Sequence, residues 1–190
     1  DRQMRRYDVP RLAFVNKLDR VGANPARVAD QLREKLRLNS VMYQIPIGAE
    51  SEFEGIVDLV MMKALYFDGD NGENIREEAI PDHLLAEAEA RREVLIDAAS
   101  NFSDELLEAA LEGEVTEEML HDATRRGVLS LELCPVFCGS AYKNKGVQTL
   151  LNAITRYLPC PTDVTNMALN PRDEEERYPV SNDSSDPTLA

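Results

Sequence analysis

Two short segments carry residue types able to read a nucleobase, and they lie about 120 residues apart. The first is Asn16-Lys17-Leu18-Asp19, directly after the apolar run Leu12, Ala13, Phe14, Val15. A fixed carboxylate at Asp19 can accept two parallel hydrogen bonds. Guanine offers that pair, from its ring N–H and its exocyclic amino group, and adenine does not. The Lys17 stem can lie over the flat face of a base, and Asn16 can tie this loop to a phosphate loop elsewhere. The second segment is Gly139-Ser140-Ala141, after apolar Val136 and Phe137. The Ala141 N–H can donate to the guanine carbonyl oxygen, because small residues let the backbone come close.

Other candidates are weaker. The sequence contains no G-x-x-x-x-G-K-[ST], hence no loop of N–H groups to cradle phosphates and no lysine for the β- and γ-phosphates. The chain is therefore expected to be an interior piece of a larger protein, holding the base-reading half of a nucleotide site. Cys134 and Cys138 bracket an expected strand, where four residues span roughly 13 Å, too far for both sulfurs to hold one zinc. Three cysteines fit reduced thiols in a cytosolic-type compartment. His83 and His121 sit in helical patterns without a metal-binding context. Asp68 to Gly72 is a turn cluster that lacks the glutamate and spacing of a calcium loop.

The elements that must position the two segments are legible from periodicity. Pro10 precedes a strand over residues 11–15, and Asn24-Pro25 caps a helix with Val28, Leu32 and Leu36 on one face. Residues 134–138 read as a second strand. After the loop 139–145, Val147, Leu150, Leu151, Ile154 and Leu158 form one helical face. Strand, loop, helix is the βα unit of a doubly wound sheet, with ligand loops at the carboxyl ends of strands. Between the two units, Val41, Tyr43, Ile45 and Ile47 alternate like one half-buried strand, and two short strands follow near residues 55–60 and 63–67. Three acidic helices come next, near residues 82–99 (Leu84, Leu85, Ala88 and Leu95 inward), 103–111 and 116–126, the last stopped by Gly127. The expected division is an α/β core over residues 1–38 and 134–160, an inserted α+β lobe over 39–133, and a linker leading into another domain over 161–190. The prolines, the acidic run 173–176 and the polar residues 181–186 mark that linker.

A net charge of −14 argues against a broad nucleic-acid-binding face and favours a basic protein partner. Apolar residues at 43% and charged residues at 29% describe an ordinary globular chain, and no apolar stretch approaches the ~20 residues that span a bilayer.

The two segments resemble the fourth and fifth sequence motifs of translational GTPases. The longer runs Asn16 to Asn24 and Gly139 to Gln148 resemble bacterial-type elongation factor G, as do Ile45-Pro46-Ile47-Gly48, Gly55-Ile56-Val57-Asp58-Leu59 and Tyr157-Leu158-Pro159. Tyr142 departs from the leucine usual after the alanine, and it is left out of the expected site. The resemblance implies the later part of a P-loop-type GTPase domain with its insert. It also implies GTP or GDP bound by Asn16, Lys17, Asp19, Ser140 and Ala141, with magnesium only in the intact protein. The implied activity is hydrolysis coupled to movement of tRNA and mRNA on the ribosome. The acidic insert, through Glu105, Glu108, Glu117 and Glu118, is expected to meet the ribosomal stalk protein. The implied compartment is cytoplasmic. The pieces Asn24 to Arg27 and Tyr66 to Asp70 are similar to the mitochondrial type, which leaves the mitochondrial matrix as the alternative. A non-catalytic protein-binding module and a paralogous ribosomal GTPase are the competing readings.

Overall fold

The computed structural model describes residues 1–69, 71–163, 166–170 and 173–180. The chain divides into two units, Asp1–Leu158 and Pro159–Ala190. The first unit opens with helix α1 (Arg2–Arg6), strand β1 (Ala13–Val15), helix α2 (Pro25–Leu36) and strand β2 (Ser40–Met42). Four strands follow, β3 (Gln44–Ile47), β4 (Gly55–Asp58), β5 (Lys63–Asp68) and β6 (Asn74–Glu78), with a 3-10 turn at Glu50–Glu52. Helices α3 (Asp82–Ser100), α4 (Asp104–Glu112) and α5 (Glu117–Leu129) lead to strand β7 (Cys134–Cys138) and helix α6 (Val147–Tyr157).

β7 lies between β1 and β2 in a parallel sheet of order β1-β7-β2. All five of its residues are buried, which is why Cys-Pro-Val-Phe-Cys carries no charge. Pro135 lies ahead of the pairing with β1, which begins at Val136, a place where a strand tolerates proline. A second, antiparallel sheet has the order β3-β4-β5-β6.

The single strand expected over residues 41–47 is thus two strands in two sheets. The half-buried alternation does not hold, because residues 40–45 are buried on both faces. Tyr43, at the junction, donates to Thr124 Oγ1 of α5 (2.6 Å), whose hydroxyl donates in turn to the Leu120 carbonyl (2.6 Å). β6 has no counterpart in the sequence reading. It is an exposed edge strand, Asn-Ile-Arg-Glu-Glu, with no apolar alternation to reveal it.

The helices occur where periodicity places them, with three corrections. α5 runs through Gly127, which is buried inside it; a Cβ there would come within 2.6 Å of the Phe102 ring, so this glycine permits close packing and does not stop the helix. Leu85 of α3 is exposed, and Ala88, Leu95 and Ala99 carry the buried face. α6 is turned relative to its expected face: Ala153 and Tyr157 are buried, whereas Leu151 and Ile154 are exposed. Tyr157 sets that rotation, with its ring packed on Tyr43 and Phe137 at centroid distances of 6.0 and 6.5 Å.

The second unit is an antiparallel hairpin of β8 (Asn166–Asn170) and β9 (Asp173–Val180) where a linker was expected. Pro179 faces Met167 in its register. In a two-stranded ribbon every strand is an edge, and an edge tolerates proline. The expected continuation into a next domain at residues 186–190 lies outside the described residues.

His121 of α5 shares a 2.6 Å hydrogen bond with the Tyr157 hydroxyl of α6. Burial, reinforced by Arg156, lowers its pKa from 6.5 to about 4. Unfolding returns the ordinary value, so the unfolded chain binds more protons between those two pH values. The contribution is therefore present in full above about pH 6.5 and is lost as pH falls towards 4. Denaturant unfolding at pH 7.5 and 4.5 should show a smaller acid loss of stability in His121→Gln than in the unmodified chain. Equal losses would show that His121 does not titrate with folding.

Candidate guanine-reading site

The register of the parallel sheet sets Val15 opposite Cys138, so the two candidate loops leave the sheet side by side. The pairing continues past the strands: Gly139 N donates to Val15 O (3.0 Å) and Leu18 N donates to Gly139 O (3.1 Å). Gly139 itself must be glycine, because a Cβ would run into the Lys145 carbonyl oxygen. The second loop closes on itself, with Ser140 and Lys145 exchanging backbone hydrogen bonds of 2.9 and 3.0 Å.

Asp19 Oδ1 accepts from the buried Ser140 hydroxyl at 2.7 Å, and Arg20 Nε lies 3.4 Å from Oδ2. The Ser140 hydroxyl holds the Asp19 pKa below its ordinary value, with the backbone, Arg20 and Lys143 adding to the effect against partial burial. Asp19 is therefore an anion at neutral pH. Each carboxylate oxygen has more than one acceptor direction, so the bond to Ser140 still leaves a pair for two parallel donors.

Asn16 Oδ1 accepts from the Lys17 N–H (2.7 Å) and the Ala141 N–H (2.9 Å). Asn16 thus braces one candidate loop against the other, whereas the sequence suggested a tie to a phosphate loop elsewhere. The same bond engages the Ala141 N–H that was read as a donor to the base. Lys17 is exposed and has a left-handed backbone (φ 66°). Tyr142, next to Ala141, is 90% exposed. All five expected residues lie on the two adjoining loops. The orienting role of the Ser140 hydroxyl was missed; the one available signal is a hydroxyl residue where any small residue would fit.

Supporting residues were missed too. Gln44 is fully buried and receives the Cys138 N–H on Oε1 (3.2 Å) while donating to Thr149 Oγ1 (3.0 Å), so it joins the end of β7 to α6. Lys145 Nζ donates to Phe53 O (3.2 Å), Asn144 Nδ2 to Asn71 O (2.9 Å) and Gln148 Nε2 to Gly72 O (2.8 Å). Turns of the antiparallel sheet therefore hold the second loop and the first turn of α6 from outside. No local pattern announces such long-range bonds.

Burial raises the thiol pKa values of Cys134 and Cys138 to about 11 and 12, so neither is a thiolate ligand at neutral pH. Among the described residues no three His, Cys, Asp or Glu side chains group as a metal cage.

A family model described as the elongation factor Tu GTP binding domain matches residues 1–160, and the chain belongs to that family. The chain is similar over its whole length to elongation factor G 2 of Anaeromyxobacter dehalogenans (strain 2CP-C), at 59% identity over 190 residues and 27% of that protein. It is likewise similar to elongation factor G 1 of Borreliella burgdorferi, at 56% identity over 191 residues, covering 100% of this chain and 28% of that protein. A solved structure of a Thermus thermophilus protein superposes with a TM-score of 0.72 at 29% identity, covering 84% of this chain and 24% of that one. The chain thus spans little more than a quarter of the length of the curated relatives it matches.

The Asp19–Ser140 bond makes a direct prediction. Ser140→Ala should raise the Asp19 pKa towards its ordinary 3.8, read from the carboxyl carbon in an NMR pH titration. An unmoved titration would show that the hydroxyl does not set the state of the carboxylate.

Proposed function

We propose that this chain is the base-reading part of a ribosomal translocation GTPase of the elongation factor G type. The observation that carries the proposal is the placement of an ionised Asp19, oriented by buried Ser140, where two βα units release adjoining loops. Asp19 accepts from the guanine ring N–H and amino group, the Lys17 stem covers the base, and Ser140 and Asn16 hold the two loops in register. The Ala141 N–H reaches the guanine carbonyl oxygen by exchanging its bond to Asn16. GTP hydrolysis and its coupling to tRNA and mRNA movement belong to the intact protein, working on the ribosome in the cytoplasm. The magnesium of such a site finds no ligand set among the described residues. The chain by itself has no G-x-x-x-x-G-K-[ST] to stabilise charge on a transferring phosphoryl group, and it is proposed to be inactive alone. Residues 44–133 are proposed to form the inserted lobe, since β2 pairs within the parallel sheet.

Asp19→Asn in an intact protein carrying these loops should shift preference from guanine to xanthine nucleotides. The amide NH₂ would oppose the amino group of guanine, donor against donor, whereas xanthine has a carbonyl there. The loss of guanine affinity should be roughly a hundredfold. Competition between GTP and XTP checks it, and an unchanged preference for GTP would remove Asp19 from base reading.

The inserted lobe is proposed to bind the basic surface of the ribosomal stalk protein. Glu105, Glu108, Glu117 and Glu118 are all exposed. The same lobe has a groove of about 730 Å³ between α3 and α4, with Ile96, Leu107 and Leu111 among apolar linings and Asp97 and Asp104 among acidic ones, while Glu117 and Glu118 line a separate cleft with His121 and Arg156. Exposed charges are screened within about 8 Å at physiological salt, so the association should weaken as salt rises. Titration with the labelled stalk C-terminal domain at two salt concentrations tests this. Binding unaffected by reversing those four charges would refute the assignment.

A further inference from the structure

We propose that Glu50, a residue of the antiparallel sheet's first turn, is a positioning residue for guanine recognition; the inference rests on the reading of Asp19 as the base-reading carboxylate. Glu50 opens the 3-10 turn after β3 with a left-handed backbone, φ 54°, a conformation that costs a non-glycine residue energy and persists only where its surroundings impose it. Two bonds account for it. The Glu50 N–H donates to Leu18 O at 3.1 Å, and Glu50 Oε1 accepts from the Gly22 N–H at 3.0 Å. Leu18 and Gly22 lie on either side of Asp19, so one residue of the inserted sheet brackets the base-reading carboxylate from both directions.

The same turn also reaches the other loop. Phe53, the residue that ends it, is buried and accepts from Lys145 Nζ at 3.2 Å. Lys145 is paired through its backbone to Ser140 in both directions, and Ser140 holds Asp19. A closed circuit results: Glu50 to the Asp19 loop, Asp19 to Ser140, Ser140 to Lys145, and Lys145 back to the turn. Within the loop, residues 20–22 are held by turn bonds from Arg20 N to Lys17 O (3.0 Å) and from Ala23 N to Arg20 O (3.2 Å), by the Arg20–Asp19 ion pair and by the Arg27 side chain on the Gly22 carbonyl. Arg20 and Val21 are exposed, and the bonds from Glu50 are the ones that reach this stretch from the antiparallel sheet. A carboxylate that must meet two parallel donors tolerates an orientation error of only about 10–20°. The Glu50 carboxylate supplies that restraint at the open end of the loop.

The readout is discrimination between GDP and IDP, because inosine lacks the amino group that Asp19 reads. In a full-length protein carrying this segment, Glu50→Ala should weaken GDP about tenfold through faster dissociation, and IDP less, so that the GDP/IDP ratio contracts. Glu50→Gln keeps an acceptor oxygen for Gly22 and should keep the ratio. A contribution to folding alone would lower the melting temperature and leave the ratio unmoved, and that result would overturn the proposal. So would a Glu50→Gln protein as impaired as Glu50→Ala. If Glu50→Ala does not fold, Glu50→Asp, which retracts the carboxylate by one methylene, must contract the ratio, and an unchanged ratio there is equally fatal. Asp19→Asn run in parallel separates the two claims. If it leaves guanine preference intact, the base-reading assignment fails; if it shifts preference to xanthine while Glu50→Ala leaves the ratio unchanged, only the role of Glu50 fails.

Discussion

The pairing of β1 with β7 is the constraint on which the rest of the molecule depends. Three residue pairs, Ala13 with Val136, Phe14 with Phe137 and Val15 with Cys138, bring together loops that are about 120 residues apart in the chain. Parallel pairing requires a long crossover, and it is favourable only when both faces of the sheet are covered. Here β7 has β1 on one side and β2 on the other, and its five residues are all buried. Apolar burial thus fixes the strand ends to within a residue, and the strand ends place Asp19 within hydrogen-bond reach of Ser140.

Burial at the root of the site and exposure at its tip have different consequences. Ser140 is sealed from water, so its hydroxyl has no competitor for the Asp19 carboxylate. Asn16, Lys17 and Ala141 are exposed, as groups that meet a ligand must be. An exposed loop holds its geometry only through bonds at its base and flanks. Those bonds come from Gln44 beneath the end of β7 and from the turns at Glu50–Glu52 and Asn71–Gly72 at the rim. The antiparallel sheet is therefore structurally continuous with the two adjoining loops. At its junction with the parallel sheet Tyr43 is bonded to Thr124 of α5, and α5 is bonded in turn to α6 through His121 and Tyr157.

Charge is segregated in the same spirit. The acidic helices α3, α4 and α5 carry their carboxylates on solvent faces, while Ala88, Leu95, Leu106, Leu120 and Ala123 point into the core. Their exposed face is free to be selected for a partner without disturbing the packing beneath. The two adjoining loops contain Arg20 and Lys143, which add to the Ser140 hydroxyl in favouring an anionic Asp19 within a chain of strongly negative net charge.

The amino-acid sequence alone determined what depends on near neighbours. Asn24-Pro25 starts α2 and the Asn24 side chain caps it, Ser103 and Thr116 cap α4 and α5, and Asn16 to Asp19 follows a strand as an N-K-x-D run should. These signals are local, since caps, periodicity and loop motifs act within a few residues. Tertiary structure alone decided which sheet each strand joined, which face of α6 turned inward, and that Gly127 would sit inside a helix. It decided too that a charged edge strand such as β6 would form, and that a proline-bearing acidic segment would become a hairpin. The same holds for the site. The candidate base-reading residue types were legible, but the bonds from Ser140, Gln44 and Glu50 that hold their loops span from 28 to 121 residues of sequence. Such bonds arise only when packing brings distant backbone together, and no window of sequence contains both of their ends.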